Sequence, residues 1–128
     1  MNDSSAASIP NVRLLRIALV LNVVLALGTA VSAALALWRP ELLLDGAPIG
    51  AGTAFYAAAY AVRAIPLGAA IAFLAATGRL RPLAPLLLIG AAAQLGDLAI
   101  AAAVQNPGMA VGSALCAAGH LFGWRVLR

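Results

Sequence analysis

Arg63 and Asp97 are ionisable residues set deep inside apolar stretches, Arg63 in AYAVRAIPLG and Asp97 in AAAQLGDLAI. A guanidinium fork and a carboxylate form a charge-assisted pair. Such an acid, held by its partner, can serve as a base or as an anionic stabiliser. Other polar side chains keep helical spacing with them. Tyr56, Tyr60 and Arg63 share one stripe; Gly90, Gln94 and Asp97 share a second; Ser113, Cys116 and His120 share a third. Asn22 and Thr29, with Ser32 close by, make a fourth. Asp97, Arg63, His120 and Tyr60 form a candidate catalytic set for proton transfer. Tyr56, Gln94, Cys116 and Asn22 are candidates for holding a ligand. Isomerisation, epoxide opening and cyclisation fit such a set, because they need positioned proton transfer and no cofactor.

The elements that must carry these residues follow from composition. The chain has 128 residues, 64% hydrophobic and 9% charged, with a mean hydropathy of +1.02. Soluble domains are about 45–50% apolar and about 25% charged, and a compact fold of this length cannot hide such an excess. A soluble enzyme, a disordered tail and a secreted disulfide scaffold are excluded; a single Cys cannot form an internal disulfide. Four apolar runs, at 14–37, 53–77, 83–104 and 108–124, match the ~20 residues a helix needs to cross ~30 Å of hydrocarbon, the last at the short limit. Each is bounded by a linker holding Pro. The expected fold is all-α: a membrane bundle of four antiparallel transmembrane helices. It forms one domain, residues 13–128, behind a polar head, 1–12, read as disordered.

All eight basic residues are Arg. Six of them (13, 16, 79, 81, 125 and 128) fall on the side of the head, the second linker and the tail. Arg39 lies on the other side, with Glu41 and Asp45. The positive-inside rule then puts both termini in the cytoplasm and the protein in the cell membrane as a multi-pass chain. A cleaved signal peptide ending near Val31-Ser32-Ala33 is the competing reading; it is disfavoured because the apolar run continues to Leu37. Without a basic face or interleaved aromatics, the net charge of +4 does not point to nucleic acid. Trp38 and Trp124 read as interface anchors at opposite ends of the bundle, and Tyr56 as either a belt residue or a site residue.

Depth argues for a pair. An Arg and an Asp at helix centres cost about 5–7 kcal/mol together on insertion scales. In a hairpin centred on Leu80 the two residues lie at one level. At ~1.5 Å per residue, Arg63, Asp97 and His120 sit about 15, 11 and 18 Å from the non-cytoplasmic boundary. A salt bridge in the bundle interior follows, read either as a functional centre or as a structural pair fixing helix register. His120 has the same two readings. Pro66 removes the hydrogen bond to the Val62 carbonyl near Arg63. Gly28 with Ser32, Gly108 with Gly112, and Gly119 with Gly123 are expected to let helices approach closely. Cys116 and His120, four residues apart, also suggest a nucleophile and its base, or a metal site. One His and one Cys, with a carboxylate already paired to Arg63, are too few ligands for a metal, and a buried Cys is usually a small hydrophobe.

With WRPE at 38–41, YAVRAIPLG at 60–68, QLGD at 94–97 and the late His120, the chain resembles the DoxX-like group of small four-helix membrane proteins. The resemblance implies a four-helix membrane bundle; some members are associated with redox complexes. Here no ligand cluster for haem or an iron–sulfur centre accompanies it. Three functions fit the residues. The first is a membrane-embedded site for a lipophilic small molecule, without a cofactor. The second is a small proton-coupled transporter working as a homo-oligomer. The third is a non-catalytic accessory subunit of a larger membrane complex. Membrane lipid is a partner in each.

The arginine count sets a topology test. A green fluorescent protein fused after Arg128 is expected to fluoresce, and alkaline phosphatase fused there to stay inactive. The opposite pattern would place the C-terminus outside.

Overall fold

The computed structural model describes residues 11–42 and 48–128. The expected disordered head, apart from residues 11 and 12, and Asp45 lie outside the described residues. Four helices make up the rest: α1 (Val12–Trp38), α2 (Ala51–Ala76), α3 (Leu80–Ala103) and α4 (Pro107–Leu127), with a short 3-10 turn at Pro40–Leu42 after α1. All four are long and apolar enough to cross a membrane, and no strand occurs among the described residues. The protein is an all-α four-helix membrane bundle, as its apolar runs predict.

α1 and α4 outrun their apolar runs, and a polar residue caps the start of each. Asn11 accepts a hydrogen bond from the Arg13 N–H, so α1 starts at Val12 and residues 11–12 belong to the helix and its cap, not to a disordered head. Asn106 accepts from the Met109 N–H at 2.9 Å, and Pro107 occupies the first position of α4, where no N–H is needed. Pro82 falls in the first turn of α3 and is tolerated there for the same reason, so the second linker shrinks to Thr77–Arg79. Gly78 takes the left-handed conformation that closes α2 (φ +67°), and Gln105 takes it after α3 (φ +54°), where a side chain is disfavoured.

The helices form a ring in chain order. α3 packs most closely on α4 and α1 on α2; α1 meets α4 less extensively, and α2 meets α3 least. Ile71, Leu83 and Leu87, with Ala26, fill the half of the bundle near the α2–α3 turn. Ala33, Ala61 and Ala64, with Tyr60 against them, fill the other half. The large apolar side chains point mostly outward, among them Val20, Val24, Val62 and Phe73, as lipid-facing surfaces do. Trp38 is exposed at the end of α1, and Trp124 packs near the end of α4 with the Arg128 guanidinium 5.0 Å from its ring centre.

Close approach uses fewer of the expected glycines than their spacing suggests. A Cβ on Gly28 or Gly112 would meet nothing within 4 Å, and on Gly108 it would meet only Asn106 of its own cap. These three do not seat a neighbouring helix. Gly119 and Gly123 do, against Leu25 and Asn22 of α1. Gly68 is the least forgiving of these, because its Cβ would fall 2.7 Å from the backbone oxygen of Ala26, which cannot rotate away. Gly68→Ala is therefore expected to lower stability in detergent by about 1–3 kcal/mol, the usual cost of overpacking. Gly28→Ala should hold or gain up to about 1 kcal/mol from helix propensity. Thermal unfolding of the two variants side by side checks this; equal midpoints would refute the close α1–α2 contact.

Candidate functional site

The site begins with the salt bridge. Arg63 Nη2 donates to Asp97 Oδ1 at 2.5 Å. The Asp97 side chain is 7% exposed and the Arg63 side chain 47%. The carboxylate is thus buried in the bundle while the guanidinium stays half open at the seam between α2 and α3. The Arg63 guanidinium also stands 5.7 Å from the centre of the Tyr60 ring, within cation–π range. The equal-depth expectation needs one correction. The turn lies at Gly78, not Leu80, which leaves Asp97 about one helical turn, ~5.4 Å, farther from it than Arg63. The long Arg side chain spans that offset.

Side chains from all four helices line a cavity beside this pair, among them Thr29, Tyr60, Arg63, Gln94, Asp97 and His120. Its volume is about 20 Å³, room for about one water molecule. Gln94, 7% exposed, makes no side-chain hydrogen bond among the described residues, and neither does Asp97 Oδ2 or the Tyr60 hydroxyl. No sealed side-chain nitrogen or oxygen among the described residues lacks a partner. The unpaired atoms of these groups therefore border open space, which for the buried Gln94 and Asp97 is the cavity.

The remaining expected residues lie elsewhere. Asn22 is 1% exposed and lies behind the cavity wall. Its Nδ2 donates to the Ala18 carbonyl at 2.8 Å and to the Gly119 carbonyl at 3.1 Å. Its Oδ1 is 2.7 Å from His120 Nδ1. Asn22 thus ties α1 to α4 and reaches the cavity only through His120. Cys116 is 3.7 Å from the Thr29 hydroxyl. That hydroxyl gives its proton to the Leu25 carbonyl at 3.0 Å, so the thiol must be the donor, and Cys116 serves as a second tie between α4 and α1. Tyr56 is 73% exposed and stacks edge-on against Phe55 with ring centres 5.4 Å apart. It lies near the start of α2, away from the cavity.

Sequence spacing did not single out Gly68 and Gly90 for the roles they have here. Gly68 lines the cavity, and Gly90 gives the His120 ring its seat, since a Cβ there would fall 3.1 Å from His120 Cδ2. A glycine inside an apolar helix on the face of a polar residue was the available signal. Outside the spans, Arg39 and Glu41 form an exposed ion pair, and the hydrogen bond from Arg39 holds the Glu41 carboxyl below the usual carboxylate range.

Four apolar helices around an Arg–Asp salt bridge with a buried acid define a small integral membrane protein with a polar centre. No family model, curated protein or solved structure matches the chain.

The pair has a clear energetic signature. Arg63→Leu leaves a buried carboxylate without its partner and should cost about 3–5 kcal/mol. Adding Asp97→Leu removes that charge as well, and the double variant should recover most of the loss. Equilibrium unfolding of both single variants and the double variant, closed as a cycle, measures the coupling. Additive losses would show that the two side chains do not interact.

Proposed function

We propose that the cavity receives the polar head of a lipophilic small molecule that enters from the bilayer between α2 and α3. The observation that carries this reading is the half-open guanidinium of Arg63. It stands at the seam where neighbouring helices touch least and adjoins the cavity that holds Asp97, Gln94, Tyr60 and His120. A volume of about 20 Å³ excludes a whole ligand. It suits a single hydroxyl, carbonyl or epoxide oxygen in the place of a water, with the apolar body left against the two helices.

Cofactor-free acid–base chemistry fits the same groups. Asp97 Oδ1 is held by Arg63 and Oδ2 remains to take a proton. Tyr60 has a hydroxyl to give one, Gln94 can orient the oxygen, and the guanidinium can stabilise developing negative charge. Isomerisation, epoxide opening and cyclisation belong to this class. A DoxX-like kinship, a place in the cell membrane and cytoplasmic termini complete the reading. The half-open guanidinium favours one alternative: cover by another membrane chain, a second copy or a larger complex, with the pair purely structural.

Thermal unfolding of the purified protein with ten-carbon probes tests the proposal. Decanol, decanone and epoxydecane should raise the midpoint where decane does not. Saturation at about 100 times Kd corresponds to about 2.7 kcal/mol. Asp97→Asn, which keeps the shape of the side chain but removes the charge that holds the Arg63 guanidinium beside the cavity, should abolish the difference. Equal shifts with decane, or an unchanged response in the variant, would sink the head-group reading.

A further inference from the structure

The bonds around Asn22 determine the protonation pattern of His120. Asn22 Nδ2 lies 2.8 and 3.1 Å from two backbone carbonyl oxygens, which can only accept. That atom must be the amide nitrogen, since the flipped amide would set oxygen against oxygen twice. Oδ1 therefore faces His120 Nδ1, at 2.7 Å, and can only accept. Nδ1 must carry a hydrogen, and in the neutral ring the lone pair lies on Nε2.

Nε2 has no hydrogen-bond partner among the described residues, and no sealed polar atom there lacks one. His120 is 3% exposed and lines the cavity. The ring edge carrying Nε2 and Cδ2 lies over Gly90, where the absent side chain makes room for it. We infer that Asn22 is a positioning residue that holds His120 as the Nδ1–H tautomer, so that Nε2 accepts a hydrogen bond from the ligand. A head group held at Nε2 is then one that carries an O–H, an alcohol, phenol or enol, whereas a ketone, ether or epoxide oxygen can meet only the donors of the cavity, such as the Tyr60 hydroxyl. This inference rests on the head-group reading and narrows it.

The protein contains a single His, so a 15N-histidine spectrum of the intact chain, at a pH where the ring is neutral, reports His120 alone. The expected spectrum shows a protonated Nδ1 and a pyridine-type Nε2. Decanol should move the Nε2 signal, and decyl methyl ether, which lacks the hydrogen, should leave it in place. Asn22→Leu should release the tautomer and bring up an Nε2–H signal. That variant also cuts a tie between α1 and α4, so Gly90→Ala provides a second arm. Its methyl would sit 3.3 Å from Nε2, and it should block the decanol response while Nδ1 stays protonated. An Nε2–H tautomer in the unmodified protein overturns the inference, and so does an equal response to the ether. If decanone stabilises the protein while decanol leaves Nε2 unmoved, the O–H requirement fails and the broader reading survives. If no oxygen-headed probe binds, both fail.

Discussion

A carboxylate on the buried face of a transmembrane helix leaves the protein little freedom. Bulk water does not surround Asp97 there, and burial of a lone charge costs several kcal/mol even after relaxation. A cation must come to it, and Arg63 is the one the structure supplies. Because Arg is long, the pair closes without drawing the helix backbones together. It acts as a strut between α2 and α3, the neighbouring pair that packs least. The sparse packing at that seam and the half-exposed guanidinium both fit two helices joined by a long polar arm.

The rest of the ring is held by a different balance. Between helices in lipid there is no hydrophobic drive to associate, so contacts depend on close van der Waals packing and on hydrogen bonds. Two hairpins, α1 with α2 and α3 with α4, are closed by packing, with Gly68 set against the Ala26 backbone in the first and Gly90 against His120 in the second. The hairpins are then tied to each other by polar groups. Arg63 and Asp97 join α2 to α3; Asn22 joins α1 to α4 through Gly119 and His120. The polar side chains thus stand where packing alone is thinnest.

This division explains what could be read from the sequence. Hydropathy is a property of the linear chain, so the number of helices, their all-α class and their antiparallel order follow from apolar runs and short linkers. A charge inside such a run is conspicuous for the same reason, and its partner had to be the other one. Helix ends are less legible, since one Asn11 hydrogen bond or a tolerated Pro82 moves a boundary by two or three residues. The shift of the α2–α3 turn to Gly78 broke the symmetry about Leu80 but not the pair, because side-chain length absorbed it. Tyr56 shares the stripe of Arg63, yet so near the start of α2 no helix covers it. A stripe gives direction around a helix and nothing about where neighbours stop. The partner of Asn22 is on the last helix, and no local pattern distinguishes a residue that ties helices from one that faces a ligand.

That distinction comes from hydrogen bonds. Asn22 has both amide hydrogens placed and an acceptor engaged. The Thr29 hydroxyl hydrogen goes to Leu25 and the Cys116 thiol hydrogen to Thr29. These side chains have no donor left to offer a ligand, and they are scaffold. Gln94, Tyr60, Asp97 Oδ2 and His120 Nε2 have no partner among the described residues, although a bilayer penalises an unmet polar group by several kcal/mol. On the proposed reading, the groups with unmet capacity beside the cavity take the ligand, and the groups whose hydrogens are spent hold the helices together.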